Sequence, residues 1–189
     1  MFYLHRLEEG EGLYYSASPA DSVIMRKCYF KKFASGNVKS VFFKKLDVNV
    51  YSESFKRLDE GGGKRNLTDF YPSYYMEFVV IDNGFLMNFQ NVIFDGINAK
   101  IYNQYHMVNQ EGFKSSRVAY SQIDSGSNVN YKKKMGQYSV RVVNVFKISI
   151  NTTLFNFLLK RKTLKITLIT DDNKEYNLET DNFLLKYDF

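Results

Sequence analysis

Two short segments carry residue types that suggest chemistry, and spacing disqualifies both. Gly61-Gly62-Gly63-Lys64-Arg65 looks like a phosphate-cradling loop. Such a loop needs an earlier Gly at a fixed distance and a Ser or Thr after the Lys, and neither is present. Asp171, Asn173 and Glu175 imitate the start of a calcium loop, but Tyr176 stands at the sixth position, where the sharp turn requires Gly. His5 and His106 sit in unrelated contexts, without the spaced His or Cys partners of a metal site. Cys28 is the only cysteine, which excludes an internal disulfide and argues for a small buried apolar side chain. No catalytic constellation, cofactor motif or metal site emerges, so the chain is expected not to be an enzyme.

The remaining candidates are basic and aromatic. Residues 30–45 read FKKFASGNVKSVFFKK, with rings and lysines doubled on both sides of Gly36-Asn37. The net charge of +6 is uneven: residues 23–65 hold eleven bases against four acids, and residues 131–165 hold nine bases and no acid. If these blocks converge, they form a patch that attracts a polyanion. The candidate set is Tyr29, Lys31, Lys32, Phe42, Lys44 and Lys45 from the first block, with Lys132, Lys133, Lys134 and Arg141 from the second. Rings would stack on the bases of a single strand while ammonium groups neutralise phosphates.

A two-residue Gly36-Asn37 loop suits a type II′ turn, because Gly supplies the positive φ. That loop pairs Phe30 with Phe43, Lys31 with Phe42 and Lys32 with Val41. One face then collects Cys28, Phe30, Lys32, Val41, Phe43 and Lys45. The other collects Tyr29, Lys31, Phe33, Phe42 and Lys44. Both faces are mixed. Either the hairpin is covered on both sides, with lysine stems reaching water at its edges, or one face lies open. The covered hairpin is favoured, since lysines on strands also discourage edge aggregation.

Elements to position these residues read mostly as strands. Tyr74–Ile81 and Phe85–Phe89 flank Asp82-Asn83-Gly84 and suggest a hairpin. Asp95-Gly96 suggests another turn, before Ile97–Tyr102. In Tyr138–Ile150, Val140, Val142, Phe146, Ile148 and Ile150 share one face, opposite Arg141, Lys147 and Ser149. The last third predicts a strand–helix–hairpin–helix unit. Asn151 or Thr152 caps a helix over Thr153–Lys162, strands Thr163–Thr170 and Glu175–Glu179 follow, and Asp181 caps Asn182–Tyr187. Asp59–Asn66 and Asp124–Asn130 read as loops. The expected fold class is α+β, mainly antiparallel β-sheet, in one domain over residues 1–189.

Composition agrees with a packed core: 44% of the 189 residues are hydrophobic and 17% aromatic, with two prolines. The first residues lack the apolar core of a signal peptide, and no window is apolar enough for a membrane span, so the cytoplasm is the expected compartment. The favoured function is a non-enzymatic interaction or structural module that meets a protein partner or itself. The alternative is a polyanion-binding domain, for single-stranded nucleic acid.

Overall fold

The computed structural model describes residues 10–16, 23–58, 63–83, 89–99, 115–122 and 140–189. The fold is α+β and mainly antiparallel. Strands β1 (Glu11–Ser16), β2 (Ile24–Lys32) and β3 (Val38–Val48) lead through helices α1 (Glu53–Arg57) and α2 (Gly63–Phe70) to β4 (Ser73–Asn83). Strands β5 (Phe89–Phe94), β6 (Ile97–Asn98), β7 (Ser115–Gln122) and β8 (Val140–Ile150) follow. Helix α3 (Thr152–Leu158), strands β9 (Thr163–Thr170) and β10 (Glu175–Asp181), and helix α4 (Phe183–Lys186) complete the chain. A six-stranded sheet has the order β1-β2-β3-β4-β8-β7 and a four-stranded sheet the order β10-β9-β5-β6.

The C-terminal unit forms in the predicted order of strand, helix, hairpin and helix, although α3 ends at Leu158, short of the expected Lys162. Leu154, Leu158, Leu164, Ile166 and Leu168 are all buried. Asn151 caps α3, its side-chain oxygen accepting from the Leu154 N–H at 2.8 Å. The cap of α4 is Asn182 rather than Asp181, and the helix is shorter than the sequence suggests. The reason is tertiary. Asn182 accepts from the Leu184 N–H and also donates to the carbonyls of Leu158 and Arg161, at 2.8 and 2.7 Å. One buried amide thus finishes α3 and starts α4, which Asp181 could not do because a carboxylate donates nothing.

Two strand pairings depart from expectation. Strand β4 does not form a hairpin with β5; it lies between β3 and β8, while β5 joins the other sheet beside β9. The Asp95-Gly96 turn does form, both residues at positive φ, and joins β5 to β6. Residues 63–66, expected in a loop, open helix α2.

The opening hairpin is the second departure. Tyr29 pairs with Phe43, Phe30 with Phe42 and Lys31 with Val41, one residue out of the expected register. The Phe33 N–H donates to the Lys39 carbonyl at 2.9 Å, so the turn takes five residues instead of two. Gly36 still uses positive φ, but inside this longer loop. A one-residue slip changes which side chains share a face. Tyr29, Lys31, Val41, Phe43 and Lys45 therefore lie together on one side. Cys28, Phe30, Lys32, Phe42 and Lys44 lie on the other.

The first side faces the core. Tyr29, Val41 and Phe43 join Tyr74, Met76 and Phe78 of β4 and Phe146, Ile148 and Ile150 of β8 in one buried cluster with α3, α4 and the four-stranded sheet. Each fully buried ring or branched chain contributes about 1.5–3 kcal/mol relative to exposure. Polar links fix the two sheets. Asp82 on β4 accepts from the Lys174 ammonium and the Tyr176 hydroxyl, each at 2.6 Å.

Candidate functional site

The corrected register separates residues that the sequence grouped. Tyr29 is fully buried, stacked on Phe183 with centroids 4.1 Å apart, so it offers no face to a nucleobase. Lys31 leaves the same face at its margin, 3.7 Å from the Glu11 carboxylate and 3.2 Å from the Thr180 hydroxyl. Lys45 pairs with Asp47 at 3.3 Å. Lys132, Lys133 and Lys134 lie outside the described residues, as does the side chain of Arg141, whose backbone belongs to β8. His5, His106 and Asp124–Asn130 also lie outside them.

The other face keeps Lys32, Phe42 and Lys44 together and adds residues from neighbouring strands. Lys44 stands opposite Tyr75 in the β3–β4 ladder, and Glu77 stands opposite both Phe42 and Lys147. The Lys44 and Lys147 ammonium groups lie 5.2 and 4.5 Å from the centroid of the Tyr75 ring, within cation–π range. Lys32 lies 5.9 Å from the Phe30 ring. Burial first, and then the neighbouring Lys147 charge, push the Lys44 pKa down. Cys28, in the same row as Lys44 and Tyr75, is a buried thiol whose pKa burial pushes up, which makes it a packing group rather than a nucleophile.

A separate surface forms where β1 and β3 end and β2, β4 and their connections begin. In an antiparallel sheet these termini share one end, as the pairs Tyr15–Lys27, Met25–Asp47 and Leu46–Ser73 show. Tyr15 and Met25 project there at 67% and 46% exposure. Val50 and Tyr51 follow β3 directly, and Phe70 ends α2 just before β4. Tyr51 is 84% exposed and Phe70 65%. Helix α4 lies close by: the Lys27 ammonium donates to the Asp188 carbonyl at 2.6 Å, and Leu185 is half exposed. These six are the exposed large hydrophobic side chains among the described residues, and five of them belong to one end of one sheet.

Sequence reasoning missed that end. Val50, Tyr51 and Phe70 occupy a turn and a helix terminus, so no periodicity distinguishes them from core. Their exposure depends on the order in which the strands assemble. A partial signal was present in β1 and β2, where Tyr15 and Met25 fall at strand ends. Among the described residues no helix is long and apolar enough to cross a membrane.

Similar proteins give the chain its relatives. It is 30% identical over 195 residues to Protein BptA of Borrelia garinii subsp. bavariensis, covering 99% of this chain and 92% of that one. It is also 30% identical over 175 residues to Protein BptA of Borreliella valaisiana, covering 88% and 81%. With Protein BptA of Borreliella burgdorferi strain B31 it shares 27% over 194 residues, covering 98% and 91%. No solved structure matches it. The family model described as "Borrelial persistence in ticks protein A" matches residues 1–189, and the chain belongs to that family.

Proposed function

We propose that this chain is a non-enzymatic interaction module that meets a protein partner through the apolar end of its six-stranded sheet. The observation that carries this reading is the gathering of Tyr15, Met25, Val50, Tyr51 and Phe70 at that end. Singly exposed hydrophobic residues need no explanation, but several on one end mark a contact surface. Tyrosine suits this role, since its ring supplies contact area and its hydroxyl tolerates water when the surface is free. The family description names an outcome, persistence in ticks, and no reaction. A protein contact is one way a module without catalytic machinery serves such an outcome.

The test places a photo-crosslinking amino acid at Tyr51 and, as a control, at exposed Glu179 on β10. Purified protein reports self-association, and borrelial cells report a heterologous partner. Discrete adducts from position 51, lost when Phe70 is changed to Ser, are expected. Equal labelling from both positions would overturn the proposal.

A further inference from the structure

We infer that the outer face of the six-stranded sheet holds a binding site for a phosphate-type oxyanion at the cluster of Lys44, Lys147 and Arg26 around Tyr75. The apolar end described above plays no part in this inference.

Strand pairing brings the parts together. Lys44 lies opposite Tyr75, and Lys147 reaches the same ring diagonally from β8. Their ammonium groups stand 5.2 and 4.5 Å from the ring centroid. Arg26, exposed on β2, shares this face, two residues from Cys28, the ladder partner of Lys44. Glu77 supplies one opposing carboxylate beside them. Among the described residues, three positive charges thus meet the Glu77 carboxylate on this face.

Several other lysines of this protein meet carboxylates. Lys31 and Lys186 meet Glu11, Lys45 meets Asp47, Lys165 meets Glu179, and Lys174 meets Asp82. Among the described residues neither Lys44 nor Lys147 forms such an ion pair. Placing two ammonium groups on one ring costs free energy through mutual repulsion and partial desolvation. A bound anion would remove that cost, because it screens both charges at once.

The ligand class follows from the donors. Lysine ammonium is a compact charge with three rotatable donors, which suits the tetrahedral oxygens of phosphate as well as a chain phosphodiester. Tyr75 already meets two ammonium groups, so its ring anchors cations rather than stacking on a base. The shared chemistry is therefore the phosphate oxyanion, and two sources remain to be told apart: a free phosphate group and the backbone of a single strand.

The experiment compares melting temperatures in inorganic phosphate and in chloride at equal ionic strength, for the natural protein, Lys44→Met and Lys147→Met. Methionine keeps the stem that packs on Tyr75 and removes the charge. Phosphate stabilises proteins generally by exclusion from their surface, and the variants measure that background. The natural protein is expected to show a larger phosphate-minus-chloride shift than either variant, and the variants to melt in chloride at or above the natural protein. The same shift in all three, with unchanged circular dichroism, would overturn the site. A fluorescent oligothymidylate identifies the source: weaker binding by Lys44→Met points to the strand backbone, and unchanged oligonucleotide binding with a lost phosphate shift points to a free phosphate group.

Discussion

Tyr29 and Phe183 lie face to face, centroids 4.1 Å apart and ring planes 13° from parallel. The contact seats the final helix on the opening hairpin, joining residues from opposite ends of the chain. Phe183 also lies 5.9 Å from Phe43, which meets Phe189 edge-on at 4.9 Å. Many of the aromatic side chains among the described residues are therefore spent inside, where stacked rings add to the free energy of burial.

Phe183→Ala should cost about 3–5 kcal/mol, the usual range for emptying a ring-sized site in a core. Tyr29→Ala should cost a similar amount, and the double variant less than the sum, because each ring packs on the other. Urea unfolding of the three variants checks this. Strict additivity would mean that the stack does not couple the hairpin to α4.

Asn182→Ala should destabilise by about 1–3 kcal/mol, although the change removes only one small side chain. It strips the cap from α4 and leaves the Leu158 and Arg161 carbonyls at the end of α3 without their donor. Asn182→Asp should recover little, since the carboxylate caps α4 but cannot donate to α3. Full recovery by Asp would locate the whole effect in the cap. Leu158→Ala, which empties the apolar side of α3, should cost about 2–5 kcal/mol.

The C-terminal unit was legible because its apolar residues repeat every second position in β9 and on one side of α3, and local patterning decides both. The hairpin register was not. Gly36-Asn37 satisfies a short turn by itself, yet Phe33 bonds to Lys39 and the longer loop shifts every pair by one. Burial of Tyr29 and Phe43 against Phe183 favours this register, and that contact is invisible to local reading. Partner choice was equally hidden for β4, whose alternation fits any neighbour. For the oxyanion site, the sequence showed Lys44 and placed Lys147 on the wet face of β8. It could not show that Tyr75 arrives between them from β4. The polyanion candidates fell into one charge block per stretch of sequence, whereas the fold sorts them by parity along each strand.

Alkaline stability should follow the buried tyrosines. Burial first, and then the nearby Cys28, push the Tyr14 pKa from 10.0 up to about 12. Its hydroxyl is buried without a hydrogen-bond partner among the described residues. Tyr176 is pushed up as well, by burial and then by its bond to Asp82. A raised tyrosine pKa means that the folded state holds its proton longer than the unfolded chain. Its contribution is therefore complete below pH 10 and is lost as pH rises toward the folded value. Urea midpoints should stay level up to about pH 9 and decline above about pH 10. Tyr14→Phe should flatten that decline and leave stability at neutral pH unchanged or slightly higher, because it removes an unsatisfied buried oxygen. A steeper alkaline decline in the variant would contradict the assignment.

The exposed end of the six-stranded sheet should be indifferent to folding. Tyr51 and Phe70 are 84% and 65% exposed, so Tyr51→Ser and Phe70→Ser should each change unfolding free energy by less than about 0.5 kcal/mol. Phe155 offers the contrast: it stacks on Tyr74 at 3.9 Å and is buried, so Phe155→Ala should cost about 3–5 kcal/mol. Several apolar side chains exposed at one end and without value to stability suit contact with something else. If either serine variant lost more than about 2 kcal/mol, the end would belong to the protein's own core, and the reading of it as a partner surface would fail.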